Sequence, residues 1–323
     1  LKTRPPEAVQ QTAQLFINKI RLQEARYKTT SNGYIEVSMG TDNNVNSGID
    51  VNELTLPIAD FLAADSIGQD DTFTNLSGSW QITQPIAPGW LVNGAITGSL
   101  RKNADLNQFD NMTATLQGGI TRLYKQHRYK AEFISQQYNL DGNRFRKLNG
   151  INFDWHHALT QKSNFTTSIQ YAVLDYPDLN VKNSDLVALN LNYSHTFTSA
   201  LTPTLFMSIN TGSESATENL PAALSMTERD ISGLQLGILL GLGNKTALQL
   251  SGTLQNSQYA DKYFITDLAN REDDHISANL NLLWLFERDW RLDTKVSYSD
   301  NSSNVEIFRY QRTQFSLNLN YAF

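Results

Sequence analysis

The chain has 323 residues, a net charge of -6, no cysteine and a mean hydropathy of -0.40. Without thiols it forms no disulfide or thiolate metal site, which suits a protein that passes an oxidising compartment. The acidic balance argues against a nucleic-acid partner, and no apolar run approaches the roughly 20 residues of a membrane helix.

Taken in chain order, the sequence starts at Leu1-Lys2-Thr3-Arg4 with no signal peptide, as expected of a mature or truncated form. Residues 5–27 (PPEAVQQTAQLFINKIRLQEARY) predict one amphipathic helix. Pro5 and Pro6 precede Glu7, a favourable start. Val9, Ala13, Phe16, Ile17 and Ile20 share a face, and Arg21, Arg26 and Lys28 gather where the helix dipole favours cations. We divide the chain into a periplasmic helix and linker, 1–30, and a barrel, 31–323.

From Gly33 onward about fourteen segments alternate apolar and polar residues, the period of a strand with one greasy and one wet face. They lie near 33–41, 72–84, 89–102, 108–121, 127–138, 145–157, 163–175, 184–197, 203–211, 229–241, 246–256, 273–287, 290–299 and 306–323. One face carries Leu76, Trp80, Ile82, Ile169, Tyr171, Val173, Leu280, Leu282 and Trp284. Of roughly sixty such positions none is Asp, Glu, Lys or Arg, as a lipid-facing wall requires. The other face carries hydroxyls, amides and scattered charges, among them Thr115, Gln117, Lys130, Glu132, Asp154, Asp293 and Arg312. The Trp residues fall near strand ends, as interfacial girdles do. Inward aromatics are few, with Phe206 and Tyr310 the clearest.

Connections after the even segments are short; those after the odd ones include Gly212–Glu228, Gln258–Glu272 and the very long Asp42–Asp71. Short periplasmic turns and long outer loops would place both termini in the periplasm. Within the long loop, Leu54, Leu56, Ile58, Phe61 and Leu62 make an apolar stretch that should not stand in water. It is expected to fold over or into the lumen as a plug. The chain closes on FSLNLNYAF, an ending that resembles that of outer-membrane barrels; the resemblance implies that Tyr321 and Phe323 are the assembly signal. The fold class is therefore all-β: a transmembrane antiparallel up-and-down barrel of about 14 strands with a short N-terminal helix.

Catalytic and metal chemistry finds little support. His127, His156, His157, His195 and His275 have no ligand spacing. His195 has Ser194 and Ser199 nearby, but adjacent strand residues face opposite ways. Arg271-Glu272-Asp273-Asp274 reads as a solvated loop edge rather than a Ca²⁺ site. Leu242–Thr246 mimics a phosphate loop but lacks the glycine before Lys245. We expect no enzyme, metal or cofactor.

The helix ending QLFINKIRLQEARYK leads into GYIEVSMGTDNNVNSG, Gly33–Gly48. This junction resembles the start of the barrel in the surface lipoprotein assembly modifier family. There a tetratricopeptide domain precedes a barrel of fourteen strands, and an Asp-Ser-Asn-Val-Asn-like run follows the first strand. Here the run is Asp42, Asn43, Asn44, Val45 and Asn46, with Asn43 in place of Ser. On its own chemistry the run reads as an Asx-rich turn capping a strand. No tetratricopeptide repeat is visible in this sequence. The resemblance implies an outer-membrane translocon for a lipoprotein or small secreted protein. Its partners would be outer-membrane lipid, lipopolysaccharide, the barrel assembly machinery and the cargo. The alternative is a porin or a specific small-molecule or polysaccharide channel.

Overall fold

The computed structural model describes residues 27–49, 66–262 and 269–323. The helix expected over 5–27 (all but Tyr27) and the apolar residues Leu54, Leu56, Ile58, Phe61 and Leu62 lie outside the described residues.

The described residues form one closed antiparallel barrel of fourteen strands. In order these are β1 (Thr30–Asp42), β2 (Asp71–Ala87), β3 (Trp90–Asn103), β4 (Asn111–Tyr124), β5 (His127–Leu140), β6 (Asn143–Ala158) and β7 (Ser163–Asp175). There follow β8 (Ser184–Thr196), β9 (Thr204–Ala216), β10 (Arg229–Gly241), β11 (Thr246–Lys262), β12 (Asn270–Leu285), β13 (Trp290–Ser303) and β14 (Tyr310–Ala322). Each strand pairs with its sequence neighbours, and β1 also pairs with β14 from Tyr34↔Ala322 to Asp42↔Gln314. Closure leaves no edge, so the backbone groups find partners along the wall, as hydrocarbon demands.

Alternation alone could describe a soluble sandwich, whose apolar face a second sheet would cover. Here no second layer among the described residues covers the single wall. Leu116, Ile151 and Met39 stand 58%, 59% and 59% exposed on it. The buried residues are largely polar, including Ser38, Asp42, Glu132, Glu214, Asp273 and Asp293. Apolar outside and polar inside is the arrangement of a barrel in lipid.

Several strands run further than the sequence pattern predicts. β9 continues to Ala216, β11 to Lys262 and β13 to Ser303, while β12 starts at Asn270, so the expected loops Gly212–Glu228 and Gln258–Glu272 shorten. The added residues are polar on both faces: Glu214 stands opposite Arg229 inside, and Asn256 holds Glu272 and Asp274 outside. These ends extend past the apolar band, where the hydrophobic period no longer marks a strand. One end of the barrel carries tight connections such as 88–89, 125–126 and 242–245; the other carries 43–70, 176–183 and 217–228. The latter includes a short helix, Pro221–Met226, and a 3-10 turn, Asn180–Lys182.

The β1–β14 seam is close-packed at Gly40. An added Cβ there would run into the Phe315 carbonyl oxygen of β14 and the Phe73 ring of β2. Gly40→Ala is expected to cost about 1–3 kcal/mol through overpacking. Urea unfolding from lipid vesicles would show it, and an unchanged midpoint would mean that the seam relaxes freely.

Candidate functional site

Strand parity sets which side chains reach the lumen, and at the long-loop end of the seam it brings charges together. The Asp42 side chain is fully buried at the end of β1. It accepts hydrogen bonds from Arg312 Nε and Nη2 (3.0 and 2.5 Å), Arg101 Nη2 (2.7 Å), Gln314 Nε2 (2.6 Å) and its near neighbour's backbone, Asn44 N (3.1 Å). Arg101 in turn stacks over Phe73, 3.9 Å from the ring centroid. One carboxylate thus ties β1, β3 and β14 across the closure. Charge-assisted, bidentate bonds of this kind are the strong ones.

The rest of the run does more than cap a strand. Asn43 pairs with β14, its backbone N donating to Thr313 O (3.1 Å) and its Oδ1 accepting from Thr313 N (2.6 Å). Asn44 Nδ2 donates to Gly48 O and Gln311 O (2.8 and 2.9 Å), while its Oδ1 accepts from Gly48 N (2.8 Å). Val45 N donates to Gln69 O (2.8 Å), and Asn46 bridges Ile67 O and Gln69 N (2.6 and 3.1 Å). A parallel bridge, Ile49↔Ile67, completes the clasp. The Asx-turn chemistry expected of this run is present, but its partners lie on β14 and on the far base of the loop. The run fastens both ends of the 43–70 connection to the seam. At the other end of the seam Gly33 and Phe323 exchange backbone hydrogen bonds (2.9 and 3.0 Å), and Tyr321 packs on Trp290 with centroids 4.8 Å apart. Tyr321 and Phe323 themselves are exposed on the outer wall.

A second charged group lines the same mouth on β9–β12. Glu214 accepts from Arg229 Nε (3.0 Å) and from Ser184 Oγ (2.7 Å), and Arg229 Nη1 donates to the buried Tyr259 hydroxyl (2.9 Å). Arg271 binds Asp273 through Nε and Nη2 (3.0 and 2.5 Å). At the tight-turn end the lumen opens as a cavity of about 1340 Å³, lined by Asn32, Gln81, Gln117, Lys130, Asp154 and Asn320 among others. Its charges are paired in part, with Lys130–Glu132 at 2.5 Å and Arg291–Asp293 at 2.7 Å.

Several sequence expectations change. Inward aromatics are more numerous than Phe206 and Tyr310: the register also turns Tyr34, Phe73, Tyr138 and Tyr259 into the lumen. Tyr259 fell within an expected loop, which hid its parity. Arg101 covers Phe73, and Arg229 and Arg271 lie over Tyr259, so two of these rings serve guanidinium groups rather than an open stacking track. Residues 271–274 are strand, not loop edge: Asp273 faces Arg271 inside while Glu272 and Asp274 face Asn256 outside. Opposed faces cannot share a cation, and no metal-binding group occurs among the described residues. His195 meets Ser163, its cross-strand neighbour (2.7 Å), rather than Ser194 or Ser199. Its other contact is the Phe197 ring, and no carboxylate among the described residues completes a triad. His156 reaches Thr166 (3.0 Å), while His157 stacks on His127 with centroids 4.5 Å apart.

The fold, the bare apolar wall and the polar lumen define an outer-membrane-type β-barrel of the transporter and channel class. The family model "surface lipoprotein assembly modifier" matches residues 33–323, and the chain belongs to that family. No curated protein matches the sequence. Among solved structures, the barrel is similar to an anion-selective porin from Comamonas acidovorans, with 8% identity over 92% of this chain and 99% of that one and a TM-score of 0.51. It is also similar to a loop-deletion variant of OmpT from Vibrio cholerae, with 7% identity over 91% and 99% of the two chains and a TM-score of 0.52. The channel DcaP of Acinetobacter baumannii has 9% identity over 92% and 98%, with a TM-score of 0.50. At these identities the likeness is one of fold.

Proposed function

We propose that the barrel exports a lipoprotein or small protein across the outer membrane to the cell surface, without enzymatic chemistry of its own. The observation that carries this reading is the family match over residues 33–323, which spans every strand of the barrel from Gly33 onward. The asymmetry of the connections supports an orientation with the tight turns and both chain ends in the periplasm. In that orientation the cavity of about 1340 Å³ is a polar vestibule for incoming cargo, and the Asp42 clasp holds the outer loop beside the exit. Tyr321 and Phe323 would then address the last strand to the barrel assembly machinery, and the wall would meet lipid and lipopolysaccharide.

The test is surface exposure of cargo. The intact gene is expressed in a Gram-negative host with a lipoprotein encoded beside it, and whole cells are treated with protease. Cargo should become protease-sensitive when the barrel is present and stay protected without it. Protected cargo, together with size-dependent sugar uptake into liposomes holding the purified barrel, would identify a diffusion channel instead.

A further inference from the structure

Arg229 of β10 and Arg271 of β12 flank Tyr259 of β11 on the lumenal side of the long-loop mouth. Arg229 uses Nε for Glu214 and Nη1 for the Tyr259 hydroxyl. Arg271 uses Nε and Nη2 for Asp273, and its guanidinium is fixed between two rings, 3.2 Å from the Phe308 centroid and 4.3 Å from that of Tyr259. Each guanidinium keeps one Nη group, Nη2 of Arg229 and Nη1 of Arg271, that donates to no acceptor among the described residues.

Lys182 brings a third cation to the same place. It ends the 3-10 turn Asn180–Lys182, which packs on the helix Pro221–Met226. Thr227, just past that helix, secures the turn by donating from Oγ1 to Val181 O (3.1 Å). The helix packs against β11 in its turn. The half-buried Lys182 ammonium meets no carboxylate or other acceptor among the described residues. The charges that act on it are Arg271 and Arg229, and burial together with these like charges lowers its pKa from the ordinary lysine value. Among the described residues these three cations meet two carboxylates, Glu214 and Asp273. An ammonium held beside two guanidiniums is unfavourable unless an anion shares the space.

We propose that Lys182, Arg229 and Arg271 form an oxyanion-binding site that takes a phosphate group at the lumenal mouth. Lys182 supplies a point charge with no carboxylate partner among the described residues, and the two spare Nη groups supply directed donors. The rings and carboxylates that hold the guanidiniums still preorganise the site. Free phosphate and a phosphorylated lipid headgroup offer the same chemistry.

The folded full-length chain in detergent is titrated with inorganic phosphate at low salt by calorimetry, and in parallel with micelles doped with a phosphatidic acid. Saturable one-site binding is expected in at least one arm, which also identifies the source. Lys182→Gln should weaken it about tenfold, or roughly 1.4 kcal/mol. Amine acylation mapped by mass spectrometry gives a readout on the unmutated chain: the ligand should protect Lys182 and leave the exposed turn residue Lys125 unprotected. Absence of saturation and of protection in both arms would overturn the proposal. So would a Lys182→Gln protein that folds and binds as tightly as the parent.

Discussion

Replacing Asp42 with Ala is expected to destabilise the barrel by about 3–5 kcal/mol, the range for removing one partner of a buried ion pair. The size of the effect comes from what remains. Arg312 and Arg101, whose side chains are 24% and 14% exposed, would face each other across the seam without the carboxylate that neutralises both. Gln314 and the Asn44 amide would lose their acceptor as well. Like charges brought together in a partly dry site repel strongly. Urea unfolding from lipid vesicles measures the loss. The variant Asp42→Asn keeps the volume and one acceptor oxygen but not the charge, so it should fall between the two. A fall below about 1 kcal/mol for Asp42→Ala would show that water enters the seam and screens the arginines. The same change should release the base of the 43–70 connection, because Asn44 begins the clasp directly from the Asp42 carboxylate.

Leu116→Arg and Gln117→Arg should differ sharply although the residues are adjacent on β4. Leu116 is 58% exposed on the apolar wall between Ile96 of β3 and Ser135 of β5. A guanidinium there should cost about 2–4 kcal/mol if it sits near the bilayer midplane. Gln117 lines the lumenal cavity at the tight-turn end among charges of both signs, such as Lys130 and Asp154, where an added cation stays in water. Folding free energies in vesicles should place Gln117→Arg close to the parent. Equal penalties at the two positions would contradict the assignment of lipid and lumen faces.

Much of the barrel was legible in the sequence because hydrocarbon is a strict solvent. Within the apolar band every second residue had to be greasy, and segments such as 163–175 and 229–241 coincide with β7 and β10 at both ends. Beyond the band that constraint lifts. Polar residues around Glu214, Tyr259 and Glu272 carry no period, so they read as loop although β9, β11 and β12 continue through them. The inward parity of Tyr259 was lost for the same reason, and with it the aromatic that organises Arg229 and Arg271.

The candidate site divides in the same way. The Asp42–Asn46 run was visible as a motif, and the apolar–polar alternation by itself determined the number of strands, their faces and the bare outer wall. Closure decided the rest. Asp42 and Arg312 stand 270 positions apart, as do Asn43 and Thr313. Lys182 comes under the charge of the arginines of β10 and β12 through loops that no periodicity describes. A strand pattern encodes which side of a wall each residue faces, because that follows from backbone geometry alone. It does not encode which residues meet around the mouth, because that depends on how the closed sheet brings β1 back to β14 and folds its loops across the lumen.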